Sequence, residues 1–266
     1  MAKRRLDALL ADRGLFESRS RAAASVLAGE VRIGPDGVRA AKPGQLVADD
    51  AELHLDDRPR YVSRGGIKLA NALESSRLDP RGRRCLDVGA STGGFTDCLL
   101  QAGAAHVVTL DVAYGELAWS LRTDPRVTVI ERTNARYVEP SMLPYAPDLI
   151  VVDVSFISLR TVLGPVLATA AGSFDMLAMI KPQFELGRGR VGKGGVVGRP
   201  ADRREALIAV GDAAGRLGVT VLGFHSSGLP GPKGNRETFI ALAEPARAGR
   251  LDRPSIEALA LEVEPA

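Results

Sequence analysis

From about residue 82 onward, the chain alternates apolar runs with amphipathic segments. Seven of the runs have the length and residue types of strands, and several are apolar at nearly every position, which is typical of strands covered on both faces. They lie at residues 84–89, 106–111, 127–130, 148–153, 175–181, 219–225 and 237–243. Because helical segments separate most of these runs, the pattern predicts a doubly wound α/β fold with a mostly parallel sheet.

The connection between the last two runs differs from the others. Only the sequence SSGLPGPKGNR, residues 226–236, lies between them, and it leaves no room for a helix. A connection this short joins antiparallel neighbours, so a closing hairpin with one antiparallel strand is predicted. A dinucleotide-binding Rossmann sheet does not usually end in this way, whereas the Rossmann-like, seven-stranded sheet of class I methyltransferases does.

The first 59 residues show a different pattern, which predicts a small, separate α+β domain. Three leucines at helical spacing precede Gly14, and a second helix is predicted to begin after Ser18 or Ser20 and to end at Gly29. The sequence VRIGPDGVRA then predicts two strands joined by a turn, and ELHLDD a last strand. The predicted organisation is a domain at 1–59, a linker at 60–63, a catalytic domain at 64–246 and a tail at 247–266.

Charge is distributed unevenly along the chain. The net charge of +3 favours a nucleic-acid partner only weakly. Residues 1–42, however, hold nine Lys or Arg against five Asp or Glu. Basic residues on a pair of helices suit contacts with phosphate groups. The alternative is an ordinary solvated face, and composition alone does not decide between the two.

The cysteines, histidines and apolar stretches exclude several classes of protein. Cys85 and Cys98 fit neither a disulfide framework nor a zinc spacing, which predicts a reducing cytoplasm. The three histidines lie far apart and predict no metal site. The basic start, MAKRRLDALL, lacks the apolar stretch of a signal peptide, and no run approaches the roughly 20 apolar residues of a membrane span. A cytoplasmic protein without metal or membrane partner is therefore expected.

The first predicted strand leads into the glycine-rich sequence CLDVGASTGGFTDCLLQAG. Ligands of doubly wound sheets bind beyond the carboxyl ends of the strands. A dinucleotide fingerprint requires glycine where Ser91 stands, and no Gly-Lys-Ser/Thr follows to make a P-loop. Asp111 ends the second strand, where a carboxylate can accept hydrogen bonds from both hydroxyls of a ribose. A glycine-rich loop of this kind together with a ribose-binding carboxylate suits S-adenosylmethionine. The alternative is a tight turn in which the glycines are only structural. The predicted cofactor-binding residues are Asp87, Gly89, Ala90, Ser91, Gly93, Gly94, Phe95, Asp111 and Val112.

The end of the fourth strand, VVDVSFISL, bears on which group is methylated. Enzymes that methylate exocyclic base nitrogens usually carry an Asn-Pro-Pro-Tyr motif here, and methylation of a base carbon requires a cysteine nucleophile. The chain has neither at the ends of the fourth and fifth strands, which leaves a hydroxyl as the favoured acceptor. A hydroxyl must be held in line with the methyl group, and a nearby base can take its proton.

Lys181 ends the fifth predicted strand, beside Asp153 at the end of the fourth. Neighbouring parallel strands lie roughly 5 Å apart, so the two side chains can meet. Lys181 then either removes the proton of the hydroxyl or only orients it. A third interpretation is a strand-end lysine that extends into water. Lys68 lies in the first turn of a helix predicted from YVSRGGIKLANAL, residues 61–73.

Residues 5–47 resemble the αL RNA-binding module, which precedes the catalytic domains of many pseudouridine synthases and occurs in a small-subunit ribosomal protein. The matching features are the basic first helix, the SRSRA start of the second helix and the strand that leads to KPG. The resemblance implies that the second helix and the following turn contact structured RNA.

A longer resemblance covers nearly the whole chain. Its marks are, in order, SRGGIKL, DVGASTGGFTDCLL, VVDVSFISL, IKPQFE, GKGGVV and KGNRE. They resemble the TlyA proteins, ribosomal RNA 2′-O-methyltransferases that are also named haemolysins. Lys68, Asp153, Lys181 and Glu237 resemble the catalytic Lys-Asp-Lys-Glu tetrad of the wider FtsJ type. The resemblance implies S-adenosylmethionine as cofactor and, as acceptor, a cytidine 2′-hydroxyl in the ribosomal RNA of one or both subunits.

The loop after Lys181 is long, glycine-rich and basic. Residues 181–204 hold seven Lys or Arg against two acidic residues. Such a loop either contacts phosphates beside the active site or is simply solvated. The predicted RNA-binding residues are Arg4, Arg5, Arg19, Arg21 and Lys42 in the first domain, Arg64 at the start of the catalytic domain, and Arg188 and Lys193 in this loop.

Two other functions compete with the enzyme. A membrane-damaging haemolysin, which the second name of the TlyA proteins implies, would need membrane-length helices, amphipathic strands or a secretion signal, and the sequence shows none. An RNA-binding ribosome assembly factor with a degenerate active site would be expected to have lost the glycine-rich loop or members of the tetrad, and all are present. A cofactor-binding measurement separates both alternatives from the methyltransferase.

Overall fold

The computed structural model describes residues 3–55, 60–249 and 251–264. The chain divides into two compact units, Met1–Pro59 and Arg60–Ala266. Each unit has a hydrophobic core of its own.

The first unit combines two short helices with short antiparallel strands. Its elements are β1 (Lys3–Arg5), α1 (Leu6–Asp12), α2 (Arg19–Ala28), β2 (Val31–Ile33), β3 (Val38–Arg39), β4 (Leu46–Ala48) and β5 (Leu53–Leu55). Strand β2 pairs with β3 and β5, and β1 pairs with β4. The β1–β4 ribbon is absent from the sequence-based prediction, because strands of three residues carry too little apolar alternation to be recognised.

Both helices of the first unit end near the predicted residues. The Ser18 hydroxyl accepts a hydrogen bond from the main-chain N–H of Arg21, and Gly29 ends α2 in the left-handed conformation with φ of 78°. Helix α1 ends at Asp12, just before the predicted Gly14. The helices and β2 share a core whose buried members include Leu6, Leu9, Leu10, Ala22, Val26 and Val31.

The second unit is an α/β domain with one large sheet. Its elements are α3 (Arg64–Ser76), β6 (Arg84–Val88), α4 (Gly94–Gln101), β7 (His106–Leu110), α5 (Trp119–Arg122), β8 (Val127–Ile130), β9 (Leu149–Val152), α6 (Leu159–Leu167), β10 (Asp175–Ile180), α7 (Pro182–Glu185), α8 (Pro200–Arg216), β11 (Thr220–Ser226), β12 (Thr238–Ala243) and α9 (Arg253–Val263). The seven predicted strands are all present, each within two residues of its predicted ends.

The strand order in this sheet is β11-β12-β10-β9-β6-β7-β8. Strand β12 runs antiparallel to both of its neighbours, and the other pairs are parallel. The seven-stranded, Rossmann-like sheet with one antiparallel strand is therefore confirmed. The chain leaves β6 toward β7 on one side and returns to β9 on the other, so the carboxyl ends of β6 and β9 form the crevice where such sheets bind ligands.

Successive residues of the strands pack into different layers, as the two-residue period of a strand requires. In β9, Leu149 and Val151 face the layer of α3 and α4, whereas Ile150 and Val152 face the layer of α6, α8 and α9. Helix α9 lies in the region predicted as a tail, yet Ile256 is buried in the second layer.

The four residues predicted as a linker, 60–63, belong to the packing of the second unit. Tyr61 is buried, and the main-chain N–H of Val62 donates a hydrogen bond to Asp97. Ser63 is the N-cap of α3. Because the helix begins at Arg64, Lys68 lies in its second turn, and the predicted place in the first turn is wrong.

Candidate active site

The glycine-rich loop links β6 to α4 at the crevice. Gly89 has φ of 85°, and a Cβ at this position would overlap the carbonyl oxygen of Asp153. Only glycine therefore allows the end of β6 to lie this close to the end of β9. Gly93 has φ of 94° and is the N-cap of α4, where a Cβ would overlap the side chains of Leu117 and Leu121. The glycines thus shape the loop that lines the crevice.

Asp111 fastens this loop to the next one along the sheet. One carboxylate oxygen accepts the main-chain N–H of Ser91 at 2.8 Å, and the other accepts that of Ala113 at 2.8 Å. The adjacent Val112 exposes 68% of its surface. A carboxylate oxygen can accept a second hydrogen bond, so Asp111 keeps capacity for a ribose hydroxyl beside an exposed apolar side chain.

Asp87 occupies a different environment from the other predicted cofactor residues. It is fully buried, and its Oδ2 accepts a hydrogen bond from the Thr96 hydroxyl at 2.6 Å. Its Oδ1 has no hydrogen-bond partner among the described residues. Burial raises the pKa of Asp87 to about 7, despite the hydrogen bond from Thr96. Asp87 ties the end of β6 to α4 and is not among the residues that line the cavity described below.

A cavity of about 600 Å³ opens beside the loop, entirely within the second unit. Its lining includes all four residues of the predicted tetrad, together with Gly89, Ala90, Ser91, Gly94 and Phe95. The cavity is thus shared by the glycine-rich loop and the ends of β9 and β10. Its size suits a small-molecule ligand.

The first pair of the tetrad stands at the ends of neighbouring parallel strands. The Lys181 Nζ lies 2.5 Å from Oδ1 of Asp153 and donates a hydrogen bond to the Ser155 hydroxyl at 2.9 Å. The two side chains expose 11% and 25% of their surface, respectively. Lys181 is therefore turned toward the carboxylate and the cavity. The third interpretation of the sequence, a lysine that extends into bulk water, does not describe this side chain.

The second pair, Lys68 and Glu237, lines the same cavity. Glu237 directly precedes β12, and because β12 is antiparallel, its first residues lie beside the last residues of β10. Lys68, on α3, forms a short ion pair with Glu237. The side chains expose only 8% and 3% of their surface. Four charged groups thus line one cavity as two ion pairs, each made of one lysine and one carboxylate.

Several residues near the cavity are absent from the sequence-based prediction. Phe156 exposes 91% of its surface and has φ of 65°, and its ring centroid lies 5.4 Å from that of Phe184. Ser155 contacts Lys181, and the buried Asn235 contacts the loop after α7. The only sequence signal for these residues is their position within VVDVSFISL, IKPQFE and KGNRE.

The basic loop between α7 and α8 is fastened at several points. Arg190 pairs with Asp202 at 2.6 Å and with Glu205 at 2.5 Å, and Asn235 bonds both the carbonyl oxygen of Gly195 and the N–H of Val197. Arg203, which pairs with Glu264 at 2.9 Å, donates a hydrogen bond to Gly198. The side chains of Arg188 and Lys193 lie outside the part of the chain that the structure describes, so their predicted contacts with RNA stay predictions.

The other predicted RNA-binding residues fall into two groups. Arg4 pairs with Asp12 and Asp49, while Arg5 and Arg19 both pair with Asp7. Arg21, Lys42 and Arg64 are exposed, and Arg64 also lines the cavity. The second group is better placed for phosphate contacts, since its charges have no ion-pair partner within the described residues.

Within the described residues, no group of His, Cys, Asp and Glu is arranged to hold a metal ion. A search of the same residues finds no helix with the length and apolarity that a membrane span needs. Cys85 and Cys98 are free thiols, and burial raises the pKa of each.

Comparison with known proteins adds to this geometry. Residues 61–244 match the family of FtsJ-like methyltransferases. Over 245 residues the chain is 51% identical to "16S/23S rRNA (cytidine-2'-O)-methyltransferase TlyA" of Mycobacterium tuberculosis, covering 91% of each chain. It is 37% identical to "Hemolysin A" of Brachyspira hyodysenteriae, covering 88% of this chain and 97% of the relative. A solved structure from Streptococcus thermophilus that carries the name hemolysin superposes with a TM-score of 0.74 at 38% identity, covering 98% of this chain and 96% of that one.

Proposed function

The chain belongs to the FtsJ-like methyltransferases, in the TlyA family, and on this basis we propose that it methylates the 2′-hydroxyl of cytidine in ribosomal RNA. The observation that carries the proposal is the cavity shared by the glycine-rich loop and two lysine–carboxylate pairs. The name of the 51%-identical relative supplies the nucleotide and the two ribosomal RNAs.

The residues beside the loop fit S-adenosylmethionine as cofactor. Asp111 offers carboxylate oxygens for a ribose, Val112 an apolar surface for a base, and Gly89 a close approach of the main chain. When bound, S-adenosylmethionine supplies a methyl group on a positively charged sulfur. The cavity lies between this binding loop and the tetrad, as a transfer reaction requires.

The tetrad residues act on the acceptor. Lys181 is held by Asp153 and Ser155, so its amine keeps a fixed place from which it can bind the oxygen of a ribose hydroxyl. Fixed placement of a weak nucleophile supplies a large part of the rate in such a reaction. Lys68 and Glu237 also line the cavity and neutralise each other, so the cavity has no unpaired charge from this pair.

RNA binding is shared among exposed basic residues. Arg64 stands at the rim of the cavity, and Arg21 and Lys42 lie on the first unit, which we propose to be an αL RNA-binding module. Its helix pair and hairpin support that proposal. Function in the cytoplasm, where ribosomes are assembled, is part of the same proposal.

The direct test is methyl transfer to ribosomal subunits. The protein is incubated with labelled S-adenosylmethionine and ribosomal subunits that lack the modification. Small and large subunits are tested in separate reactions. We expect label in the RNA of both subunits, and none when Lys181→Ala replaces the wild-type protein. Failure to label either subunit, combined with failure to bind S-adenosylmethionine, would favour the assembly-factor or haemolysin alternatives.

A further inference from the structure

The segments that follow β9 and β10 carry Asp153 and Lys181, and they are tied together beyond that ion pair. At the cavity, Lys181 also bonds Ser155 at 2.9 Å. The rings of Phe156 and Phe184, which also line the cavity, are in contact, with centroids 5.4 Å apart. The position of Asp153 relative to Lys181 therefore depends on how firmly the 153–158 loop is held against residues 181–185.

Glu185 forms the outermost of these ties. Its side chain is 1% exposed. The carboxylate accepts hydrogen bonds from the Ser158 hydroxyl at 2.5 Å and from the main-chain N–H of Leu159 at 2.7 Å. The Arg160 guanidinium donates to the same carboxylate at 3.2 Å and to the carbonyl oxygen of Glu185 at 2.9 Å. One carboxylate from the β10 side thus binds three successive residues at the start of α6.

The location of these contacts explains their effect on the loop. Ser158 is the N-cap of α6, and a carboxylate at a helix N-terminus satisfies main-chain N–H groups that have no partner within the helix. The 153–158 loop is fixed by β9 at its first residue and by Glu185 at its last. Between these points Phe156 has φ of 65°, a conformation that side-chain-bearing residues keep only when their surroundings impose it.

We infer that Glu185 is a positioning residue, which holds the 153–158 loop in register with the β10 end so that Asp153 and Lys181 stay in contact. The carboxylate does not line the cavity, so it acts through these two residues and not on the substrate. The catalytic consequence rests on the proposed function, whereas the mechanical tie between the loops does not.

Glu185→Gln is the sharpest change, because the amide has nearly the shape of the carboxylate. It loses the charge that faces Arg160 and replaces one acceptor oxygen with an NH₂ group. A displacement of about 1 Å in an active site can lower a rate about 100-fold, so kcat for methyl transfer is expected to fall about 10- to 100-fold. The KM for RNA and the affinity for S-adenosylmethionine are expected to stay close to the wild-type values, because the loop at 89–94 is untouched.

Glu244→Gln is the matched control. Glu244 is a partly buried carboxylate, with 13% of its side chain exposed, and it accepts hydrogen bonds from the main-chain N–H of Phe174 at 3.0 Å and from the Arg247 guanidinium at 2.9 Å. It lies at the opposite end of the sheet, beside the first residue of β10. Glu244→Gln should lower the melting temperature about as much as Glu185→Gln does, and it should leave kcat unchanged. An equal loss of kcat in both variants would show general destabilisation and overturn the positioning role.

Hydrogen–deuterium exchange in the free protein tests the tie without any substrate. Glu185→Gln should accelerate exchange in peptides covering 153–160 and leave peptides covering 89–95 unchanged. Unchanged exchange at 153–160 would refute the tie, even if the wild-type protein methylates ribosomal RNA. A wild-type protein that transfers no methyl group would instead refute the proposed function, and the exchange result would still decide whether Glu185 holds the loop.

Discussion

The two lysine–carboxylate pairs line one cavity but differ in how they are built. Lys181 and Asp153 end parallel strands and remain partly exposed, with 11% and 25% of their side-chain surface accessible. Lys68 and Glu237 join a helix to the antiparallel strand and are almost completely buried. A partly exposed pair can give up a contact to a substrate hydroxyl, whereas a buried pair leaves an unpaired charge if either partner is lost. We therefore propose that the first pair acts on the acceptor and that the second holds the cavity wall.

Replacing Lys181 should have the largest effect on activity. Lys181→Ala is expected to lower the methyl-transfer rate about 1,000-fold or more, since positioned acid–base groups contribute about 100- to 10,000-fold. Binding of S-adenosylmethionine, measured by calorimetry, should be retained.

Lys181→Arg separates the two roles that the sequence leaves open. A guanidinium keeps the charge but does not accept a proton at neutral pH, so substantial activity would indicate that Lys181 orients the hydroxyl. Loss of activity as complete as in Lys181→Ala would indicate a base. If Lys181→Ala itself retains nearly full single-turnover activity, the proposed role is wrong.

Breaking the buried pair should have the largest effect on stability. Glu237→Gln leaves the charge of Lys68 buried without its partner, which is expected to cost about 3–5 kcal/mol of unfolding free energy. Asp153→Asn, in the less buried pair, should cost less, about 1.5–3 kcal/mol, because Lys181 keeps its hydrogen bond to Ser155 and partial access to water. Urea unfolding of the two variants measures the difference. Equal losses would contradict the contrast between the pairs.

Asp87 extends the comparison to a buried carboxylate whose hydrogen-bond partner, Thr96, is neutral. Burial raises its pKa from 3.8 to about 7, so between these values the folded state holds a proton that the unfolded state has lost. Its contribution to stability therefore falls as the pH rises from about 4 to 7 and stays low above 7. Asp87→Asn should raise the melting temperature at pH 8 and much less at pH 4, with a free-energy gain of up to about 4 kcal/mol. A gain that is independent of pH would contradict this account.

Exposed charges of the first unit should give the smallest effects. Arg21→Ala is expected to weaken RNA binding modestly and to reduce the slope of log affinity against log salt by about 1, as the loss of one phosphate contact does. Arg5→Ala should change the slope less, because its guanidinium already lies 2.7 Å from Asp7. Binding titrations at several salt concentrations measure both slopes. Equal changes would show that the ion pair with Asp7 does not matter for RNA binding.

The sheet was accessible from the sequence because its signals are local. Apolar runs mark the buried strands, and the short 226–236 connection reveals the antiparallel one. The β1–β4 ribbon was not accessible, since its pairing joins residues more than 40 positions apart through strands of three residues. Lys68 was placed one turn too early because the cap at Ser63, and not the start of the apolar pattern, determines where α3 begins.

The cavity was predictable in its charged members but not in the residues that hold them. Strand adjacency brings Lys181 to Asp153, as the sequence indicates. Glu185, in contrast, contacts the start of α6 only after the loops of two strands have folded together, and no spacing in the sequence reports that contact. Asp111 also has a role that the sequence did not show, because it bonds the main chain of two neighbouring loops.

The most direct test of the central claim is to identify the atom that receives the methyl group. Ribosomal RNA methylated by the protein is digested to nucleosides and analysed by mass spectrometry, with RNA treated by Lys181→Ala as the control. The account predicts cytidine that carries the methyl group on its ribose, formed by the wild-type protein and nearly absent with the variant. A methyl group on a base, or equal ribose methylation by both proteins, would contradict the assignment of Lys181 and Asp153 to a hydroxyl acceptor.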